Sequence, residues 1–200
     1  MKLSKYVLVM AGLMTSAGAM AGNTLVSGGN GTVTINGTIT NATCDVSLAS
    51  STISFDFNKP VIAGAAADGL VGTNESPVNI KNCANTPVNL TVTANTKDAS
   101  DPLSGFFGTG DDDNALRYQV GLKEQTGVVH GGDVSDAPGY HIVNLNGQAD
   151  SVPLTIQSST PDYTVTLATL VKRNGAGDIT NLGGTDGKIS GSYSYNFTYQ

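Results

Sequence analysis

An all-β sandwich of immunoglobulin-like size is predicted by three features: repeated apolar alternation with a period of two, a turn-rich composition, and a single pair of cysteines. Seven alternating segments come at short intervals, with Gly, Asn, Asp and Pro clusters between them. No stretch holds a convincing helical repeat of three and four. Ala63 to Ala67 is read as one helical turn at most. Only 13% of the residues are charged, while 25 are glycine, which suits strands and turns better than helices.

The N-terminus is set apart first. Lys2 and Lys5 form a basic start, Tyr6 to Leu13 is mostly apolar, and Ala19, Met20 and Ala21 offer small residues around a cleavage site. Residues 1–21 therefore read as a secretory signal peptide, with Gly22 opening the mature chain. The alternative, a membrane anchor, is opposed by Gly12, Thr15 and Ser16, which leave the apolar run too short and too polar to span a bilayer. The remaining residues suffice for one domain with one core. Without Lys2 and Lys5, 8 basic residues face 16 acidic ones, a formal charge of −8. An acidic chain without a basic stripe argues against nucleic acid and anionic membrane as partners. In an exported chain Cys44 and Cys83 read as one disulfide, since two thiols and two distant histidines are too few for a metal site.

The strands follow in order. Ile53, Phe55 and Phe57 mark one, and Val78 and Ile80 lead into Cys83 in the next. Val88, Leu90 and Val92 follow Pro87, and then come Leu116, Tyr118, Val120 and Leu122. Val152, Leu154 and Ile156 form a fifth, and Tyr163, Val165, Leu167 and Thr169 a sixth. Residues 97–114 and 126–146 are read as long surface loops. The seventh segment runs from Gly187 to Gln200. Ile189, Gly191, Tyr193, Tyr195, Phe197 and Tyr199 share one face of it. Such a face calls for a place deep in a sheet, yet the chain ends without a strand to lie beside it. At the other end, Thr32 to Ile39 alternates as well, with Val33, Ile35 and Ile39 on one face and Gly37 in register. Leaving those side chains in water forgoes roughly 1.5–3 kcal/mol each.

Catalytic chemistry finds no support. Asp111, Asp112, Asp113 and Asn114 supply oxygen donors for calcium but lack EF-hand spacing, so a solvated turn is the stronger reading. His130 and His141 each stand alone among glycines. No nucleophile elbow and no phosphate-cradling loop is present. The Asn-x-Ser/Thr triplets at Asn30, Asn36, Asn41, Asn74, Asn89 and Asn196 are expected by chance in so polar a chain.

Taken together, the ends resemble the structural pilins of bacterial chaperone–usher fimbriae, of the type 1 and P pilus kind. The resemblance rests on the alternating segment Gly31 to Ile39 followed shortly by Cys44, on Cys83 as its partner, on Gly187 fourteenth from the end, and on a penultimate Tyr199. It implies an immunoglobulin-like sandwich lacking its last strand, with residues 22–39 as an N-terminal extension and 40–200 as the domain. Val33, Ile35, Gly37 and Ile39 become donor-strand residues. Gly187, Ile189, Tyr193, Tyr195, Phe197, Tyr199 and the carboxylate of Gln200 become the acceptor strand and chaperone-binding end. The implied role is a non-enzymatic subunit without cofactor or metal, exported through the periplasm to a surface filament. Its implied partners are neighbouring subunits, a periplasmic chaperone and an outer-membrane usher. The alternative role is a receptor-binding or minor adapter subunit whose long loops meet host ligands.

Overall fold

The computed structural model describes residues 30–39, 44–146, 152–184 and 187–199, with the backbone alone at 30, 31 and 36–39. The expected signal peptide 1–21, the leader 22–29 and Gln200 lie outside the described residues. The rest forms two packed β-sheets. The first runs in the order β3 (Thr52–Asp56), β1 (Asn30–Ile39), β12 (Lys188–Tyr199), β5 (Val88–Ala94), β10 (Leu154–Ile156) and β8 (Val129–His130). The second runs β2 (Asp45–Leu48), β4 (Leu70–Lys81), β11 (Tyr163–Arg173), β7 (Leu116–Lys123) and β6 (Gly105–Phe106), with β9 (Tyr140–Ile142) also on β7.

Alternation places the core. Ile53, Phe55, Leu90, Val92, Tyr193 and Phe197 of the first sheet face Val78, Ile80, Tyr118, Val120, Val165 and Leu167 of the second, all buried. Aromatic rings connect across this interior. Phe55 stacks on Phe57 at 5.6 Å, Phe57 meets Phe107 edge-on at 6.3 Å, Phe107 meets Tyr118 at 5.5 Å, and Tyr118 lies 6.0 Å from Tyr193. The Cys44–Cys83 disulfide, with Cα atoms 4.9 Å apart, joins the residue before β2 to the loop after β4, where Asp45 and Lys81 are paired.

Four expectations need correction. The helical turn is α1 (Lys59–Gly64), not Ala63 to Ala67, because Pro60 pre-sets the first turn and Ile62 buries its side chain. Val152 is 57% exposed and the strand begins at Leu154. Gly187 precedes the terminal strand, since its φ of 65° is left-handed and belongs to a turn. The long loops are not free excursions either. They contain β6, β8 and β9, and they fold over the outer face of β7 and β11, where Ala137 and Ile142 pack with Ala168 and Leu170. The apolar run Leu167 to Val171 fills both faces of its strand, so both faces need cover.

Polar groups fasten this strap. Lys172 is 4% exposed, and its Nζ donates to the Asp136 carboxylate at 2.8 Å and to the Asp136 carbonyl at 3.0 Å. Gln119 Nε2 donates to the same carboxylate. Arg117 reaches Asp68 at 2.5 Å and Asp101 at 3.2 Å. Buried charge is tolerated here because it is paired.

Two outcomes are expected. Replacing both cysteines by alanine lowers the unfolding free energy by about 4 kcal/mol, measured by urea titration. The second concerns acid. Burial raises the Asp136 pKa, but the bonds from Lys172 and Gln119 outweigh it and leave the carboxyl below its ordinary value. A carboxylate held below its unfolded value of about 3.9 stabilises the fold above that value and loses the effect as pH falls through its lower folded value. The protection factor of the Ile142 amide, which donates to Asp133, should therefore fall on acidification below about pH 4, ahead of that of Val120.

Candidate functional site: a strand slot beside the C-terminal strand

β12 pairs with β5 on one side, from Tyr193 with Ala94 to Tyr199 with Val88. Its other side is taken by β1, the arm ahead of Cys44. The arm runs parallel to β12, with Asn30 opposite Lys188, Val33 opposite Gly191, Ile35 opposite Tyr193 and Ile39 opposite Phe197. Val33 is 0% and Ile35 2% exposed, so the arm supplies part of the core. β3 pairs with β1 and with no other strand, through Asn30–Asp56 to Thr34–Thr52.

The slot has a shaped floor. A Cβ at Gly191 would lie 3.2 Å from Phe107 Cδ1 and 3.3 Å from Tyr118 Cε1, so the glycine lets β12 sit close on both rings. Opposite that shallow point stands Val33. Tyr118 donates its hydroxyl to the Ser192 carbonyl at 2.8 Å, and the Tyr193 hydroxyl meets Thr169 Oγ1 at 2.9 Å. Burial pushes both phenols well above their ordinary pKa. Tyr195 and Phe197 contact edge-on at 5.5 Å. At the end of the strand the Tyr199 hydroxyl accepts from the Cys44 amide at 2.6 Å and donates to the Cys44 carbonyl at 3.1 Å.

That last contact fixes the arm's direction. Only four residues separate Ile39 from Cys44. Five Cα–Cα steps reach at most about 18 Å. An antiparallel arm in its own slot would put Ile39 near Lys188, about 36 Å along the strand from Tyr199. The chain can fill its own slot only in the parallel sense.

At the opposite end of the slot Phe57, Ile62, Leu182, Gly187 and Ile189 line a small apolar depression of about 20 Å³, with the four large side chains buried. The arm residue opposite Ile189 is Gly31. Next to the depression lies a polar cleft of about 830 Å³, lined by Ser54, Asp56, Thr109, Asp112 and Lys188 among others. Phe57, Ile62 and Leu182 were missed as site residues in the sequence, because they come from a strand end, a short helix and a turn that only folding brings together.

The sequence-derived donor and acceptor segments are thus brought side by side, but within one chain. The edge of β12 away from β5 is taken by the chain's own arm, which a four-residue connection holds at high local concentration. The backbone of Gly37 and Ile39 continues the ladder opposite Tyr195 and Phe197. Within the acidic run the aspartates differ in environment. Asp111 is buried and accepts from the amides of Ala115 at 2.6 Å and Leu116 at 2.8 Å. Burial raises its pKa despite these donors. Among the described residues no three His, Cys, Asp or Glu converge as metal ligands. His141 Nδ1 lies 2.6 Å from the Gly131 carbonyl oxygen, and His130 lies exposed on β8.

Comparison with solved structures finds the P pilus rod subunit PapA, with 17% identity, 80% of this chain and 100% of that chain covered, and a TM-score of 0.50. The CupB6 tip adhesin from Pseudomonas aeruginosa aligns at 13% identity over 68% of this chain and 38% of that one, with a TM-score of 0.38. No protein-family model and no curated protein matches the chain. The likeness to the rod subunit is one of fold: the chain has a pilin-like sandwich.

Two substitutions test the slot. Ile35→Ala should cost about 2–5 kcal/mol in chemical unfolding, as for other buried truncations. Gly191→Ala should cost about 1–3 kcal/mol by forcing β12 off the Phe107 and Tyr118 rings.

Proposed function

We propose that this chain is a non-enzymatic structural subunit of a chaperone–usher type surface fimbria, polymerising by exchange of its N-terminal arm between copies. A periplasmic chaperone supplies the strand first, with the Gln200 carboxylate bound to basic chaperone residues, and an outer-membrane usher directs replacement by the next subunit's arm. The exported filament then serves adhesion.

One observation carries this reading: large and small residues are matched between arm and slot in a register that a single chain cannot adopt. The inward positions of the arm are Gly31, Val33, Ile35, Gly37 and Ile39, and those of the acceptor edge are Ile189, Gly191, Tyr193 and Tyr195, with Gly187 in the turn just before it. An antiparallel arm with Ile35 opposite Gly191 sets Ile39 against Gly187, Gly37 against Ile189 and Gly31 against Tyr195. Only Val33 then meets a large residue, Tyr193. Sliding that register two residues either way sets Gly37 against Gly191 or Gly187 and leaves a void. The chain's own parallel register opposes Ile35 to Tyr193 and Ile39 to Phe197. Complementary sizes at facing positions are what close packing rewards. Backbone pairing supplies affinity and the alternate side chains supply specificity. A contact of this kind is heterologous and does not close, so it builds a filament.

Full-length protein carrying Asn36→Cys and Ser190→Cys tests this directly. The antiparallel register faces these positions across two copies. Within one copy Asn36 pairs with Ser194, four residues from Ser190 and about 13 Å away along the strand. Mild oxidation should give a disulfide-linked ladder on a non-reducing gel. Monomer alone would exclude the exchanged strand.

A further inference from the structure

The polar cleft at the mouth of the slot is lined by Thr32 of the arm and Lys188 of the acceptor strand, and also by Asp56 and Asp112, which belong to neither. Resting on the exchange reading, we infer that this cleft is a docking surface for the disulfide-bonded corner of the next copy, where Asp45 and Lys81 stand side by side. Reach limits where the next copy can sit. With the incoming Ile39 opposite Gly187, only four residues remain before the incoming Cys44. Five Cα–Cα steps cover at most about 18 Å, so the neighbouring domain must begin directly over the cleft.

The corner that arrives there is rigid. Asp45 and Lys81 are paired across β2 and β4, next to the Cys44–Cys83 disulfide, and both are exposed. The cleft presents Asp56, Asp112 and Lys188, also exposed. None of these five side chains has an ion-pair partner among the described residues. The charges are complementary when the corner faces the cleft: Lys81 meets Asp56 and Asp112, and Asp45 meets Lys188. A copy cannot satisfy its own cleft. Its corner is held at Tyr199 by the Cys44 contacts, whereas the cleft lies at Lys188, about 36 Å away along β12. Donor corner and acceptor cleft therefore sit at opposite ends of each subunit, as a head-to-tail joint requires. The partner is a second copy of this chain, and the surface sets the tilt and stiffness of the joint.

The test uses charge reversal in the full-length Asn36→Cys, Ser190→Cys protein, with the rate of ladder formation as readout. At low salt, Lys81→Glu alone and Asp112→Lys alone should each slow the ladder about fivefold, the range of an exposed pair turned repulsive. Combining them should restore most of the rate, and salt of about 1 M should erase the differences. Thermal melting of each variant checks that the exposed substitutions leave the monomer intact. Single reversals that keep the unreversed rate, or a combined variant no faster than the singles, would overturn the docking surface while strand exchange stands. A parent protein that forms no ladder would overturn exchange itself, and the docking surface with it.

Discussion

The C-terminal strand is held between two neighbours far from it in sequence. β12 carries Ile189, Tyr193 and Phe197 into the core. One edge of it pairs with β5 and the other with the arm strand β1. Whatever fills that place does more than close a hydrogen-bond ladder. β3 belongs to the first sheet only through β1, and Phe55 and Phe57 of that neighbourhood begin the line of rings that reaches Tyr193. An empty slot would open the sandwich and expose a strand edge rich in aromatics, which is the arrangement that invites aggregation. The fold therefore couples its own completion to the availability of an arm.

The short link before Cys44 and the grip of Tyr199 on that residue restrict self-insertion of the arm to the parallel sense. In that sense the arm fills the centre of the slot with Val33 and Ile35. In the exchanged sense that we propose, the same two side chains would fill the same two central places in reverse order.

The second sheet bears a different burden. β7 and β11 are buried on both faces, one against the arm-bearing sheet and one beneath residues 126–146. Glycine, alanine and leucine on the outer face are sealed by Ala137 and Ile142, and the buried Lys172 is neutralised by Asp136.

Much of this was legible in the sequence, since alternation with a period of two places side chains on faces whatever the strand's neighbours are. Ile53 and Phe55, Val88 to Val92, Leu116 to Leu122 and Ile189 to Tyr199 could be read from it. Cys44 and Cys83 were legible for a different reason, as the two cysteines of a chain read as exported. Alternation does not encode which strands lie side by side, nor in which direction. That the arm turns back into its own slot, and only in parallel, follows from the distance between Cys44 and Tyr199, a length set by the packed sandwich. The strap over β7 and β11 escaped notice because strands of two or three residues show no period. The depression at Gly187 and the charged cleft beside it draw on Phe57, Ile62, Asp112 and Lys188, residues far apart along the chain. Local periodicity determines faces; only tertiary packing decides which faces and which charges meet.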